Sequence, residues 1–409
     1  MPKRLVVCCD GTWNTPDQVA EGRPCPTNVT KLALEVAPAG ADGLRQCVFY
    51  LRGVGTARGE RYRGGAFGVG LSRAVKDAYR TIVDNYEPGD ELWFFGFSRG
   101  AFTARSTAGF VRTAGVLERR HAGRLDEAYE LYRCREAHPR GTEAELFRRS
   151  YSYEPDVHFI GVWDTVGALG LPVRGLGFVN RRWAFHDTTL SSKVRNAFQA
   201  LAVDETRRAF RPTLWEPHRG DARPEGQRLE QVWFSGVHCG VGGGYRDTSL
   251  SDVALLWMVD RARECGLAFH RDAFAPPPPG GAPDDNRPRP VPDPLGELRD
   301  SRTGLYRLLP RYHRPIGVGH PRTESLASTT VRRYLQDERY RPPGVASFLA
   351  RGGPRTEVDA GRRSAGGGRP LPLPRTRPEG LAEPAGEVAG VGEAAGAGGR
   401  GDRPLPTGG

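Results

Sequence analysis

The chain runs to 409 residues with four lysines and two methionines, and nowhere does it approach the roughly 20 consecutive apolar residues that a bilayer-spanning helix needs. A transmembrane protein is therefore not expected. The opening Met1-Pro-Lys-Arg-Leu-Val-Val-Cys8 runs into Asp10 without the apolar region or cleavage site of a signal peptide, which argues against conventional secretion. The seven cysteines are odd in number, Cys8 and Cys9 are adjacent in an apparent strand, and no two stand in a CxxC spacing. Neither a disulfide framework nor a structural zinc site is expected from that pattern. The default compartment is a reducing cytoplasm.

Basic residues are plentiful but not clustered. Against 48 acidic residues stand 59 basic ones, a formal charge of +11. The lysines are scattered at Lys3, Lys31, Lys76 and Lys193, and the arginines are spread along a chain rich in alanine, glycine and proline. Without a concentrated basic patch, nucleic acid is not an expected partner. With 38 % hydrophobic residues, the length suits one large or two ordinary domains with a substantial core.

From Met1 to about Leu267, short apolar runs alternate with segments of helical period, the pattern of a mostly parallel sheet flanked by helices, an α/β fold. The strands are expected at Arg4–Cys9, Cys47–Leu51, Glu91–Phe97, Asp156–Trp163 and Gln231–Val237. Apolar residues at helical spacing predict helices at Leu71–Tyr86, Ser191–Val203 and Ser249–Cys265, the last stopped by Gly266. Another is expected at Ser328–Gln336. Four prolines, Pro276 to Pro279, mark a solvated loop over 274–294. Residues 349–409 are mostly Gly, Pro, Ala and Arg with no apolar periodicity. Such a segment cannot bury enough surface to offset its ordering entropy, so a folded domain over 1–348 and a disordered tail are expected.

The segment Glu91-Leu-Trp-Phe-Phe-Gly96-Phe97-Ser98-Arg99-Gly100-Ala101 places a Gly-x-Ser-x-Gly between an apolar strand and a helix-compatible stretch. That context is what a nucleophile elbow requires: small residues either side let strand and helix approach while the serine Oγ projects outward. A serine nucleophile needs a base and an acid to orient it, in chain order Ser, acid, His. Of the nine histidines, only His238 follows directly on an apolar strand and precedes a glycine-rich loop, at the sheet edge where open α/β folds keep their sites. Asp164 ends the fourth expected strand and fits the order as acid. Asp204 is a rival, at the end of an expected helix, with Arg207 or Arg208 as partners in a plainer ion pair. The loop after the first strand, Asp10-Gly11-Thr12, can donate backbone N–H groups to an oxyanion, Gly11 allowing close approach, with the N–H of Arg99 as the second donor. Asp10 and Asp204 are further candidates for the substrate site. Asp-Gly-Thr also suggests a phosphatase of the haloacid dehalogenase type, but Cys8 stands where that chemistry needs its aspartate nucleophile. No HExxH or carboxylate-histidine cluster points to a metal, and no cofactor is expected.

Together Cys9-Asp-Gly-Thr-Trp-Asn14, Thr27-Asn-Val29, Gly53-Val-Gly-Thr56, Gly96-Phe-Ser-Arg-Gly-Ala101, Val162-Trp-Asp-Thr-Val166, Ala200-Leu-Ala-Val-Asp-Glu205 and Val232-Trp-Phe-Ser-Gly-Val-His238 with Gly242-Gly-Gly-Tyr245 form an ordered set. It resembles the DUF2235 family of α/β-hydrolases, which includes the Tle1-like catalytic domain of type VI secretion phospholipase effectors. The resemblance runs from about residue 3 to about residue 345. It implies a serine hydrolase with Ser98, Asp164 and His238 as triad, acting on glycerophospholipid or other lipid acyl esters, with contact at a membrane surface. One departure stands out: the family usually carries Ser-Asp after the histidine, and this chain has Cys239-Gly240. The alternative expectation is a weak or inactive binding module on the same fold, at an anionic membrane surface.

Overall fold

Eight strands form one sheet: β1 Lys3–Cys9, β2 Arg45–Leu51, β3 Glu91–Phe97, β4 Val157–Trp163, β5 Val194–Ala202, β6 Arg228–Phe234, β7 Glu324–Ala327 and β8 Arg355–Thr356. The computed structural model describes residues 1–11, 19–20, 23–53, 66–134, 139, 141–167, 189–216, 225–275, 288–318 and 323–359. The strand order is β8-β7-β6-β5-β4-β3-β1-β2, and each neighbouring pair is parallel. The chain leaves β1 outward for β2 and then crosses back to β3. That makes the carboxyl ends of β1 and β3 the switch point, where open α/β sheets leave a crevice for ligands.

The helices are α1 Asn28–Glu35, α2 Ala66–Asn85, α3 Arg99–Ala114, α4 Leu125–Arg133, α5 Thr142–Tyr151, α6 His238–Gly242, α7 Ser249–Glu264, α8 Ser328–Gln336 and α9 Pro343–Ala350. Leu5, Val7, Cys9, Phe94, Ile160 and Val162 pack with Val75, Ile82 of α2 and Ala104, Phe110 of α3 in one layer. Their alternates Val6, Cys8, Trp93, Phe95, Phe159 and Trp163 pack with Val29, Leu32 of α1 and Val253, Trp257 of α7 in the other. Burial on both faces is why these strands read as continuous apolar runs. It also sends adjacent Cys8 and Cys9 into opposite layers. The fold is α/β-hydrolase-like, as expected.

Two expectations need correction. The predicted helix Ser191–Val203 is instead strand β5, paired with β4 and β6. Its apolar positions reach core clusters on both sides of the sheet, Ala197 in one, Phe198, Ala200 and Ala202 in another and Leu201 in a third. A central strand needs no alternation, so a coincidental helical period in an alanine-rich segment carried the wrong sign. Folded structure also continues past residue 348: α9 ends at Ala350 and β8 adds to the sheet edge. The tail from residue 360, and residues 276–287 of the proline-rich loop, lie outside the described residues.

Candidate active site

At the end of β3 the chain turns sharply into α3, and Ser98 sits at the turn with φ 59° and ψ −119°. A non-glycine residue rarely adopts positive φ, and holding one there costs about 1–3 kcal/mol. The surrounding glycines make the turn possible. A Cβ at Gly96 would lie 2.6 Å from the Gly100 carbonyl oxygen, and one at Gly100 would lie 2.1 Å from the Cys9 carbonyl oxygen and 2.5 Å from that of Asp10. The loop after β1 is thus pressed against the first turn of α3, beside Ser98.

Ser98 Oγ lies 2.8 Å from His238 Nε2, and His238 Nδ1 lies 2.5 Å from Asp164 Oδ2. Ser98 and Asp164 directly follow β3 and β4, whereas His238 opens α6 beyond the end of β6 at Phe234, and the three are 7 %, 0 % and 4 % exposed in the order Ser98, Asp164, His238. An ionised carboxylate only accepts, so Nδ1 carries the proton and Nε2 is left to accept from the serine hydroxyl. Asp164 too has positive φ, 41°, and its Oδ1 accepts from Ala202 N–H at 3.0 Å. Burial by itself would push its carboxyl up. The Arg314 guanidinium and the His238 ring outweigh burial and hold it well below the usual carboxylate range.

Arg314 had no signal in the sequence. Its Nη1 lies 2.6 Å from Asp164 Oδ1 and its Nη2 3.0 Å from Oδ2, with both side chains wholly buried. The imidazole of His238 is walled by Phe97, at 4.6 Å between ring centroids, and by Phe210, at 5.0 Å. Glu205 accepts from His238 N–H at 3.3 Å and from Ser301 Oγ at 2.9 Å, and it pairs with Arg207 at 2.8 Å.

The remaining candidates take other places. Asp204 accepts from Gly236 N–H at 2.7 Å and from Tyr340 Oη at 3.1 Å. It braces the turn that carries His238, and burial pushes its carboxyl up to about 6. Asp10 accepts from Gly11 N–H at 2.6 Å on one oxygen, and from Thr27 at 2.7 Å, Thr30 at 3.0 Å and the Tyr50 hydroxyl on the other. Both of its oxygens are therefore engaged within the protein. Burial raises its carboxyl and these donors counter it. The Gly11 N–H is thus held by Asp10, and Thr12 lies outside the described residues. Arg99 opens α3, directly after Ser98, and burial lowers its guanidinium to about 10.

The motif residues far from Ser98 hold the His238 loop. Thr27 caps α1, its Oγ1 accepting from Thr30 N–H at 3.2 Å. Asn28 Nδ2 donates to the carbonyls of Val241 and Ser251, both at 2.9 Å. Gly243 has φ +84° and abuts Asn28, so only glycine fits. A Cβ at Gly240 would meet only Val237 Cγ2, at 3.8 Å, so neither space nor backbone demands glycine there.

The family model described as T6SS, Phospholipase effector Tle1-like, catalytic domain, matches residues 3–261. The chain is 27 % identical over 242 residues to the uncharacterized protein YEL023C of Saccharomyces cerevisiae, covering 53 % of this chain and 33 % of that one. It thus spans about a third of that relative's length. Among solved structures, an uncharacterized protein from Pseudomonas aeruginosa is similar at 18 % identity and TM-score 0.39, over 66 % of this chain and 46 % of the other. The Tle1 effector bound to the VgrG spike of the type 6 secretion system is similar at 19 % identity and TM-score 0.33, over 60 % of this chain and 51 % of the other.

Proposed function

The chain belongs to the Tle1-like catalytic-domain family of type VI secretion phospholipase effectors, and we propose that it hydrolyses lipid acyl esters, glycerophospholipids first among them, through a Ser98-His238-Asp164 triad. The observation that carries this reading is the unbroken hydrogen-bonded row from Ser98 Oγ through His238 to Asp164, at 2.8 and 2.5 Å, at the switch point of the sheet. Ser98 Oγ attacks the ester carbonyl carbon while His238 Nε2 takes its proton. The alcohol then leaves with that proton, and an acyl group remains on Ser98. Water, deprotonated by His238, attacks the acyl-enzyme and releases the fatty acid. Asp164 fixes the tautomer and stabilises the imidazolium in both halves.

The oxyanion is assigned to the N–H of Arg99, at the start of α3, with a second donor from Gly11 or Thr12. Gly11 can serve only when its N–H leaves Asp10 Oδ1. The half-buried Phe210 ring beside His238 suits an apolar acyl chain. Tyr306 packs edge-on against Phe210 at 6.3 Å, and two residues on Leu308 is 81 % exposed, which supports contact between this rim and a lipid surface. No helix among the described residues is long and apolar enough to cross a membrane.

Incubating the purified full chain with phosphatidylcholine and phosphatidylglycerol vesicles, and with short-chain nitrophenyl esters, tests the proposal. Fatty acid should appear with wild type and not with Ser98→Ala. Release that survives Ser98→Ala would refute the triad. Salt-sensitive vesicle binding without any release would favour the binding-module alternative.

A further inference from the structure

The triad carboxylate is held from behind by a residue beyond the stretch that the family model matches. We propose that Arg314 is a positioning residue of the hydrolytic site, keeping Asp164 ionised and aimed at His238 so that the triad works at acidic pH; this rests on the serine-hydrolase reading above. The planar guanidinium meets both carboxylate oxygens, at 2.6 and 3.0 Å, the fork geometry that fixes a carboxylate's rotation as well as its charge. Its nitrogens are fixed in turn by the carbonyls of Ala202, at 2.7 Å, and Phe210, at 2.5 Å. With Ala202 N–H on Oδ1, the carboxylate has no freedom to turn away from the imidazole.

The cation arrives on a segment that is itself pinned to the site. Ser301 Oγ donates to Glu205, Tyr312 N–H donates to the Thr206 carbonyl at 2.9 Å, and Gly317 N–H donates to Glu324 at 3.0 Å. Between the first and last of these anchors lies Arg314, 2 % exposed. The other charged and titratable groups around Asp164 and His238 do not substitute for it. Glu205 is neutralised by Arg207. Asp204 faces Gly236 and Tyr340, with Arg333 nearby. The Cys239 thiol is pushed up to about 12 by burial and stays neutral.

Without Arg314, only His238 and the Ala202 N–H oppose burial of the Asp164 carboxylate, so the Asp164–His238 pair takes up a proton at higher pH and His238 is lost as a base. An opposite charge at this distance moves an aspartate by roughly 1–3 pH units. The test compares kcat/KM against pH for wild type, Arg314→Gln and Arg314→Lys on a short-chain nitrophenyl ester, with rates per site titrated by a fluorophosphonate and Ser98→Ala as the blank. Arg314→Gln removes a cation that disfavours a further proton on the coupled Asp164–His238 pair, so it should move the acid limb, which reports that pair, up by about 1 pH unit. Arg314→Lys, which keeps the charge but not the fork, should leave the limb in place and lower kcat per titrated site with KM unchanged. A folded Arg314→Gln with the wild-type limb, or a limb in Arg314→Lys shifted as far as in Arg314→Gln, would overturn the proposal. If Arg314→Gln does not fold, Arg314→Lys decides: wild-type kcat per titrated site would mean a purely structural arginine. Wild-type turnover that Ser98→Ala does not abolish would instead reject the triad itself.

Discussion

Ser98 and Asp164 both sit at strand ends with positive φ, yet their surroundings secure them by different physics. Around Ser98 the device is steric and local: Gly96 and Gly100, two residues either side, meet backbone atoms that leave no room for a methyl group. Around Asp164 it is electrostatic and long-range: the partner cation lies 150 residues downstream, and the ring it orients 74. A steric device ignores pH and salt but fails on one added carbon. A charged one tolerates small changes of shape but fails when a proton or a partner is lost.

The sharpest way to break this comparison is Gly100→Ala. Its Cβ would fall 2.1 Å from the Cys9 carbonyl oxygen, against backbone that cannot move aside, so little folded protein is expected by circular dichroism. The electrostatic side answers to Asp164→Asn, which should fold and lose about 10⁴-fold in kcat by supporting the wrong imidazole tautomer. Asp204→Asn, off the hydrogen-bonded row, should stay within about tenfold of wild type by that same reasoning. Next comes stability: Arg314→Gln leaves a buried carboxylate without its cation and should lose about 3–5 kcal/mol at pH 7 in urea unfolding.

A smaller effect sharpens the contrast by sign. Asp164, held below the usual range, contributes stability above the unfolded pKa of about 3.9 that is lost as pH falls through its folded value. Asp204, raised to about 6, does the reverse, so stability falls as pH rises from about 4 to about 6. Urea midpoints at pH 4.5 and pH 7 should therefore differ less in Asp204→Asn than in wild type. Smallest of all, Gly240→Ala meets only Val237 and should change the midpoint little.

The local device is also the one that sequence reveals. Ser98 is announced by its two glycines and its strand-to-helix setting, and five strands fall within a few residues of their expected bounds, because parallel strands buried on both faces write continuous apolar runs. Asp164 is legible as the residue after a strand, and His238 by its place after the last of the expected strands, although it opens α6 rather than following directly on β6. Arg314 is not: one arginine in a chain with 59 basic residues carries no mark of the carboxylate it meets. Nor did Asn28 announce its hold on the Val241 and Ser251 carbonyls. Strand β5 misled because alanine and spaced apolar residues favour a helix locally, and only pairing between β4 and β6 decides otherwise.

Fluorophosphonate labelling of the purified full chain at neutral pH, mapped by peptide mass spectrometry, tests the triad most directly. Labelling is expected at Ser98 in wild type, absent in Ser98→Ala and strongly slowed in His238→Ala. A folded wild-type protein that takes no label at Ser98, or labels there as fast without His238, would contradict the account.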